Sequence, residues 1–277
     1  MTETVSFAKE IDQNKNAAEV SNIVAGIETD ASSLDVRLRG AYITGCELTS
    51  PQTGNRIAVL YSDKKTTVPK LTATHAMIPA GPYEGIGGQH GFPRWADYHE
   101  FPLDDGPNGE KRLAVQAKRS DEGLSLTKQF ELSDSTLISR TTVASWENIT
   151  EHTSIGEHLY FSLERGNING LQVDGQSLNE LLGKGSEDIL VNGGTLVYGF
   201  GGEATITFPA GHSIKLSASF EGHTKYPPIM WIWKRQDSPS ICFEPVVGVE
   251  HLGEGDRAGV TIEPHSSGTL TTKIELL

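Results

Sequence analysis

The sequence predicts an all-β fold, one large antiparallel β-sandwich. Three observations predict it. Apolar and polar residues alternate in run after run, which is the period of a strand with one buried face. Short turn signals separate the runs: PQTGN, PNGE, SDEG, VDGQ, FGGE, PAGH and GEGD. Only SLNELLGK, residues 177–184, reads as a helix. Strands joined by turns without intervening helices build antiparallel sandwiches or barrels.

Taken in order, residues 1–30 are polar and weakly patterned and read as an arm. The sandwich is expected over residues 31–277. Leu34, Val36 and Leu38 alternate with Asp35, Arg37 and Arg39. Leu113, Val115 and Ala117 repeat the pattern. In GEHLYFSLERG, residues 156–166, Leu159, Phe161 and Leu163 share one strand face, and His158, Tyr160 and Ser162 share the other. Ile214, Leu216, Ala218 and Phe220 alternate with Ser213, Lys215, Ser217 and Ser219. In SICFEPVVG, residues 240–248, Ile241 and Phe243 oppose Cys242, Glu244 and Val246. GTLTTKIELL supplies a further run. No Gly/Ser or Pro linker divides the runs and no fixed-period repeat appears, so a single domain is expected and a propeller is not.

Composition bounds the partners. The 277 residues carry a formal net charge of -13, and the basic residues are scattered. Nucleic acid and acidic membrane surfaces are therefore not expected partners, because phosphate binding needs a concentrated cationic face. Cys46 and Cys242 each sit in an apolar run without metal-like spacing, so both are expected as buried free thiols. The opening residues show no secretory pattern, and no window approaches the ~20 apolar residues that span a bilayer. A cytoplasmic monomer is expected.

Three stretches could carry chemistry. GGQHGFPRWADYH, residues 87–99, is a Gly-rich aromatic loop that can present His90 and Arg94; a structural loop with Arg94 stacked on Trp95 accounts for it equally well. His158 beside Tyr160, on the face away from the apolar one, suggests a groove floor, or a surface His. Glu244 lies in an apolar run, where a carboxylate needs a partner or a task. Just before it, Trp231 and Trp233 share a strand face, as core residues or as a sugar-stacking surface. The nine histidines form no HxH or HExxH pair, and His152, His158 and Glu164 are too widely spaced for a cupin-like set, so no metal is expected. An enzyme, a non-catalytic carbohydrate-binding module and a metal-dependent β-sandwich enzyme all remain open on these residues.

HGFPR in a Gly-rich loop, then GEHLYFSL, then ICFEP follow one another in an order that resembles the aldose 1-epimerase, or galactose mutarotase-like, family. The HGF-x-R loop is most similar to the hexose-6-phosphate mutarotase branch. GAYITGCELTSPQTGNRIAVLYSD resembles the family's opening hairpin, and GVTIEPHSSGTLTTKIEL its closing strands, so the likeness covers about residues 30–277. The resemblance implies a β-supersandwich and an isomerase that interconverts α and β anomers of an aldose or aldose 6-phosphate. A glucose-6-phosphate 1-epimerase is one such enzyme. It implies Glu244 as base, His158 as acid, His90 near the ring oxygen and Arg94 on a hydroxyl or phosphate. Trp231 and Trp233 would line the sugar, and no cofactor is implied. The chain departs from the family where Pro82 and Tyr83 stand in AGPYEG without the sugar-contacting Arg. The mid-chain acidic residue also lacks a clear counterpart, with Asp174 and Glu203 as candidates.

Overall fold

The computed structural model describes residues 23–62, 73–80, 90–119, 123–236, 238–250 and 258–277. Two large sheets face each other. The nine-stranded sheet runs, in spatial order, Gln176–Ser177, Gln172–Val173, Glu203–Thr207, Ser213–Glu221, Ser267–Leu276, Thr136–Ser145, Leu124–Leu132, Lys111–Arg119 and His99–Phe101. The five-stranded sheet runs Thr195–Tyr198, Ile229–Trp233, Ser240–Val247, Ile155–Ser162 and His75–Met77. Neighbouring strands in both are antiparallel. The predicted antiparallel sandwich is the observed architecture.

The alternation in the sequence is what closes it. Leu124–Leu132 buries every second residue, as do Thr136–Ser145 and Ser267–Leu276. Leu126, Phe130, Leu137, Val143, Leu270 and Ile274 from the large sheet share one core with Leu159, Phe161, Ile241 and Phe243 from the smaller one. A fully buried aliphatic or aromatic side chain of this kind contributes about 1.5–3 kcal/mol.

One pair of charges interrupts this core. Lys128 Nζ lies 2.9 Å from Glu157 Oε2, and both side chains are wholly buried. Thr141 donates its hydroxyl to the other Glu157 oxygen. Lys128 and Thr141 belong to the nine-stranded sheet and Glu157 to the five-stranded one, so the pair ties the two sheets together.

A four-stranded sheet begins with Val24–Glu28, which pairs with Ser33–Arg37; these residues fall at the end of the stretch read as a polar arm. Residues 1–22 lie outside the described residues, as do Pro82 and Tyr83. SLNELLGK forms the expected helix over Leu178–Leu182, with Ser177 and Glu180 closing a reciprocal capping box. A second helix, Ser186–Val191, was not expected, because six residues are too few to show a helical period. Cys46 and Cys242 are buried free thiols, as expected. Among the described residues no helix is long and apolar enough to cross a membrane.

Candidate active site

Register in the five-stranded sheet assembles the site. Gly156 pairs with Val246 and Leu159 with Phe243, which places His158 directly across from Glu244. His158 also pairs with His75, and Glu244 with Trp231. One cross-strand row therefore reads His75, His158, Glu244, Trp231. Two residues along, a second row reads Tyr160, Cys242, Trp233. Both rows point away from the main core, because Leu159, Phe161, Ile241 and Phe243 occupy the opposite parity.

The pair is closed. His158 Nε2 is 3.3 Å from Glu244 Oε1, and both side chains are buried. The two side chains that the resemblance names as acid and base are thus in direct contact. Rings surround His158: Tyr160 stacks on it at 4.5 Å and His75 at 5.0 Å, while His90 and Trp233 meet it edge-on at 5.2 Å and 5.7 Å. His75 donates Nδ1–H to the Ala73 carbonyl at 2.8 Å. His75 Nε2, His90 Nδ1 and His158 Nδ1 are buried without a hydrogen-bond partner. Buried polar atoms left in this state are costly and collect at functional sites.

Burial sets the protonation. It pushes the Glu244 carboxyl up to about 8. It drives His158 well below its ordinary value, with His75, His90 and Arg94 adding to the effect. Desolvation thus penalises the charged form of both groups.

The loop reaches the same cluster. His90 adopts φ 69 and Gly91 φ 68, and a Cβ at Gly91 would lie 1.7 Å from the Ile78 carbonyl oxygen, so only glycine fits there. Phe92–Arg94 then form one 3₁₀ turn with Pro93 in its first residues. This turn aims Arg94 Nε at the Tyr42 hydroxyl, 3.1 Å away. The Arg94 guanidinium also lies 5.9 Å from the Trp95 ring centroid, as the loop's structural reading expects. Burial and Arg94 lower His90 to about 3, which keeps it neutral.

Trp233 is half-buried and donates Nε1–H to the Gly193 carbonyl at 3.3 Å. Trp231 does not offer a stacking face: it is buried with Met77, Ala80, Val246 and Val249 in a small second apolar cluster. Asp174 accepts bonds from Tyr198 and from the Thr205 amide, and Glu203 pairs with Lys215. Neither contacts the His158–Glu244 pair. Sequence reasoning missed His75 and Tyr42. It also found no metal-like spacing, whereas the fold brings ligand atoms of His158, Cys242 and Glu244 within 4.8 Å of one another.

No protein-family model matches the chain, and no curated protein matches it. Solved structures do. The chain is similar to the Slr1438 protein of Synechocystis sp. PCC 6803, with 18% identity over 92% of this chain and 95% of that one and a TM-score of 0.67. It is similar to a galactose mutarotase-like protein of Lactobacillus casei, with 17% identity over 92% of this chain and 100% of that one and a TM-score of 0.66. The fold is galactose mutarotase-like. A third structure with this fold is the GalM/aldose epimerase homologue of C. elegans, with 11% identity over 92% of this chain and 98% of that one and a TM-score of 0.63.

Proposed function

We propose that the protein is a mutarotase that interconverts the α and β anomers of an aldose or aldose 6-phosphate. The observation that carries this reading is the direct contact of His158 and Glu244, 3.3 Å apart and opposite each other on the face that also gathers His90. A sugar ring cannot fit between atoms 3.3 Å apart, so the pair parts when substrate comes in. Contact with sugar hydroxyls then replaces the dry environment that favoured the neutral pair. Glu244 takes the proton of the C1 hydroxyl as His158 delivers one to the ring oxygen. The C1–O5 bond breaks, C1 becomes an aldehyde, and the C1–C2 bond turns. The reverse transfers close the ring on the other face. Each ring opening and closing exchanges the proton between the two groups, so one proton suffices for both directions. Each positioned transfer contributes roughly 10²–10⁴-fold.

His90 and Arg94 hold the sugar in this reading, and Arg94 is the group suited to a phosphate. NMR exchange between anomers, run with free and 6-phosphorylated hexoses, tests it. Exchange above buffer on at least one sugar is expected. Binding without exchange would make the protein a carbohydrate-binding module instead. If the substrate is phosphorylated, Arg94→Ala should weaken the phosphosugar about tenfold or more relative to the free sugar. Equal losses would assign Arg94 to a hydroxyl.

A further inference from the structure

We infer that His158, Cys242 and Glu244 form a binding site for a divalent cation of the zinc class, and that the bound cation switches off the acid–base pair. The second half rests on the function proposed above; the site itself does not.

Geometry carries the site. Cys242 and Glu244 alternate on one strand and share its outer face, and His158 faces them from the next strand. The three residues are buried, and their ligand atoms lie within 4.8 Å of one another. Two ligands about 2.1 Å from a tetrahedral zinc ion stand ~3.4 Å apart. His158 Nε2 and Glu244 Oε1 are already 3.3 Å apart, so that edge of the tetrahedron needs no backbone movement. The Cys242 sulfur, within 4.8 Å of both, is the third corner.

The donor chemistry selects the ion. Calcium and magnesium take oxygen ligands in larger number, whereas imidazole nitrogen, thiolate sulfur and one carboxylate oxygen suit zinc. Three protein ligands leave a fourth position open. Charge also balances: a thiolate and a carboxylate are two anionic ligands, and they meet one double charge. Tyr160 lies opposite Cys242 in the sheet and brings its hydroxyl within 3.5 Å of His158 Nε2, which places an outer-shell hydroxyl beside the ligand set. A cation held there occupies acid and base together, so it competes with the sugar.

Cobalt(II) titration of the full chain after chelator treatment tests the site. One equivalent should bring tetrahedral d–d bands and a thiolate-to-cobalt charge-transfer band, both removed by one equivalent of zinc. Cys242→Ser should abolish the charge-transfer band, while Cys46→Ser keeps it. Glu244→Gln should weaken cobalt at least tenfold. Cadmium NMR of the wild type should report one sulfur ligand, a reading that needs no variant to fold. No stoichiometric cobalt, or a charge-transfer band that survives in folded Cys242→Ser, overturns the site. For the switch, one equivalent of zinc should stop anomer exchange and a chelator should restore it. Exchange that continues on zinc-loaded protein overturns the switch and the acid–base assignment but leaves the site standing. Absent exchange in metal-free protein overturns the mutarotase reading and the switch that rests on it, and leaves the site standing, since the cobalt spectra do not depend on exchange.

Discussion

Glu244→Gln is expected to lower anomer exchange by about two to four orders of magnitude, the usual range for a lost general base. The amide keeps the size of the side chain and a hydrogen-bonding carbonyl but cannot accept a proton as a base. Sugar affinity should change little. A wild-type rate in this variant would remove Glu244 from the chemistry. The same substitution should stabilise the fold as pH rises. Burial holds the wild-type carboxyl protonated up to about 8, while an unfolded Glu ionises near its ordinary value. Between those values the unfolded chain releases a proton that the folded chain keeps, so wild-type stability falls as pH increases. The Gln variant lacks that loss. In chelator-treated buffer, the melting temperature of the variant should gain on the wild type from pH 5 to 8 and level off above it. A gap that stays constant would mean that Glu244 is already ionised in the folded protein.

Glu157→Gln should destabilise the protein by about 3–5 kcal/mol, the cost of leaving a buried partner charge uncompensated. Lys128 is wholly buried and its ammonium meets Glu157 at 2.9 Å, so the neutral amide leaves a full positive charge in the core. The shift should appear as a lower urea midpoint with an unchanged slope. A double variant, Lys128→Met with Glu157→Leu, removes both charges and should recover most of the loss. A single-variant cost below about 1 kcal/mol would show that the pair does not tie the sheets. Glu157 precedes His158 in the chain, so the tie also fixes the strand that presents His158.

The parity of single strands was legible in the sequence. Leu159 and Phe161 mark the core face of their strand, Ile241 and Phe243 that of theirs, and both assignments turn His158 and Glu244 the other way. What the sequence could not supply is register between strands far apart in the chain. That register alone puts His158 against Glu244 and His75 beside them. His75 opens a strand of three residues, too short to show alternation. Trp231 and Trp233 share a face, yet a local apolar cluster takes one and not the other. The charged pair left a readable trace: Glu157 and Lys128 each hold a core-parity position on an alternating strand, and two opposite charges placed so call for each other. Metal-ligand spacing along the chain gave no signal, because the three donors come from two strands that meet only in the sheet.

Ser267–Leu276 is the last described strand in the chain, yet it lies inside the nine-stranded sheet, between Ser213–Glu221 and Thr136–Ser145. During synthesis, every other strand of that sheet leaves the ribosome before the one that joins its two halves. Until then Ser213–Glu221 and Thr136–Ser145 each present an unpaired edge, the kind of surface that recruits other chains. The sheet cannot be zipped progressively from its first strand to its last; it closes in one late, long-range step. A nascent chain halted before residue 267 holds the site residues and most of the core, and still lacks the strand that makes them one molecule.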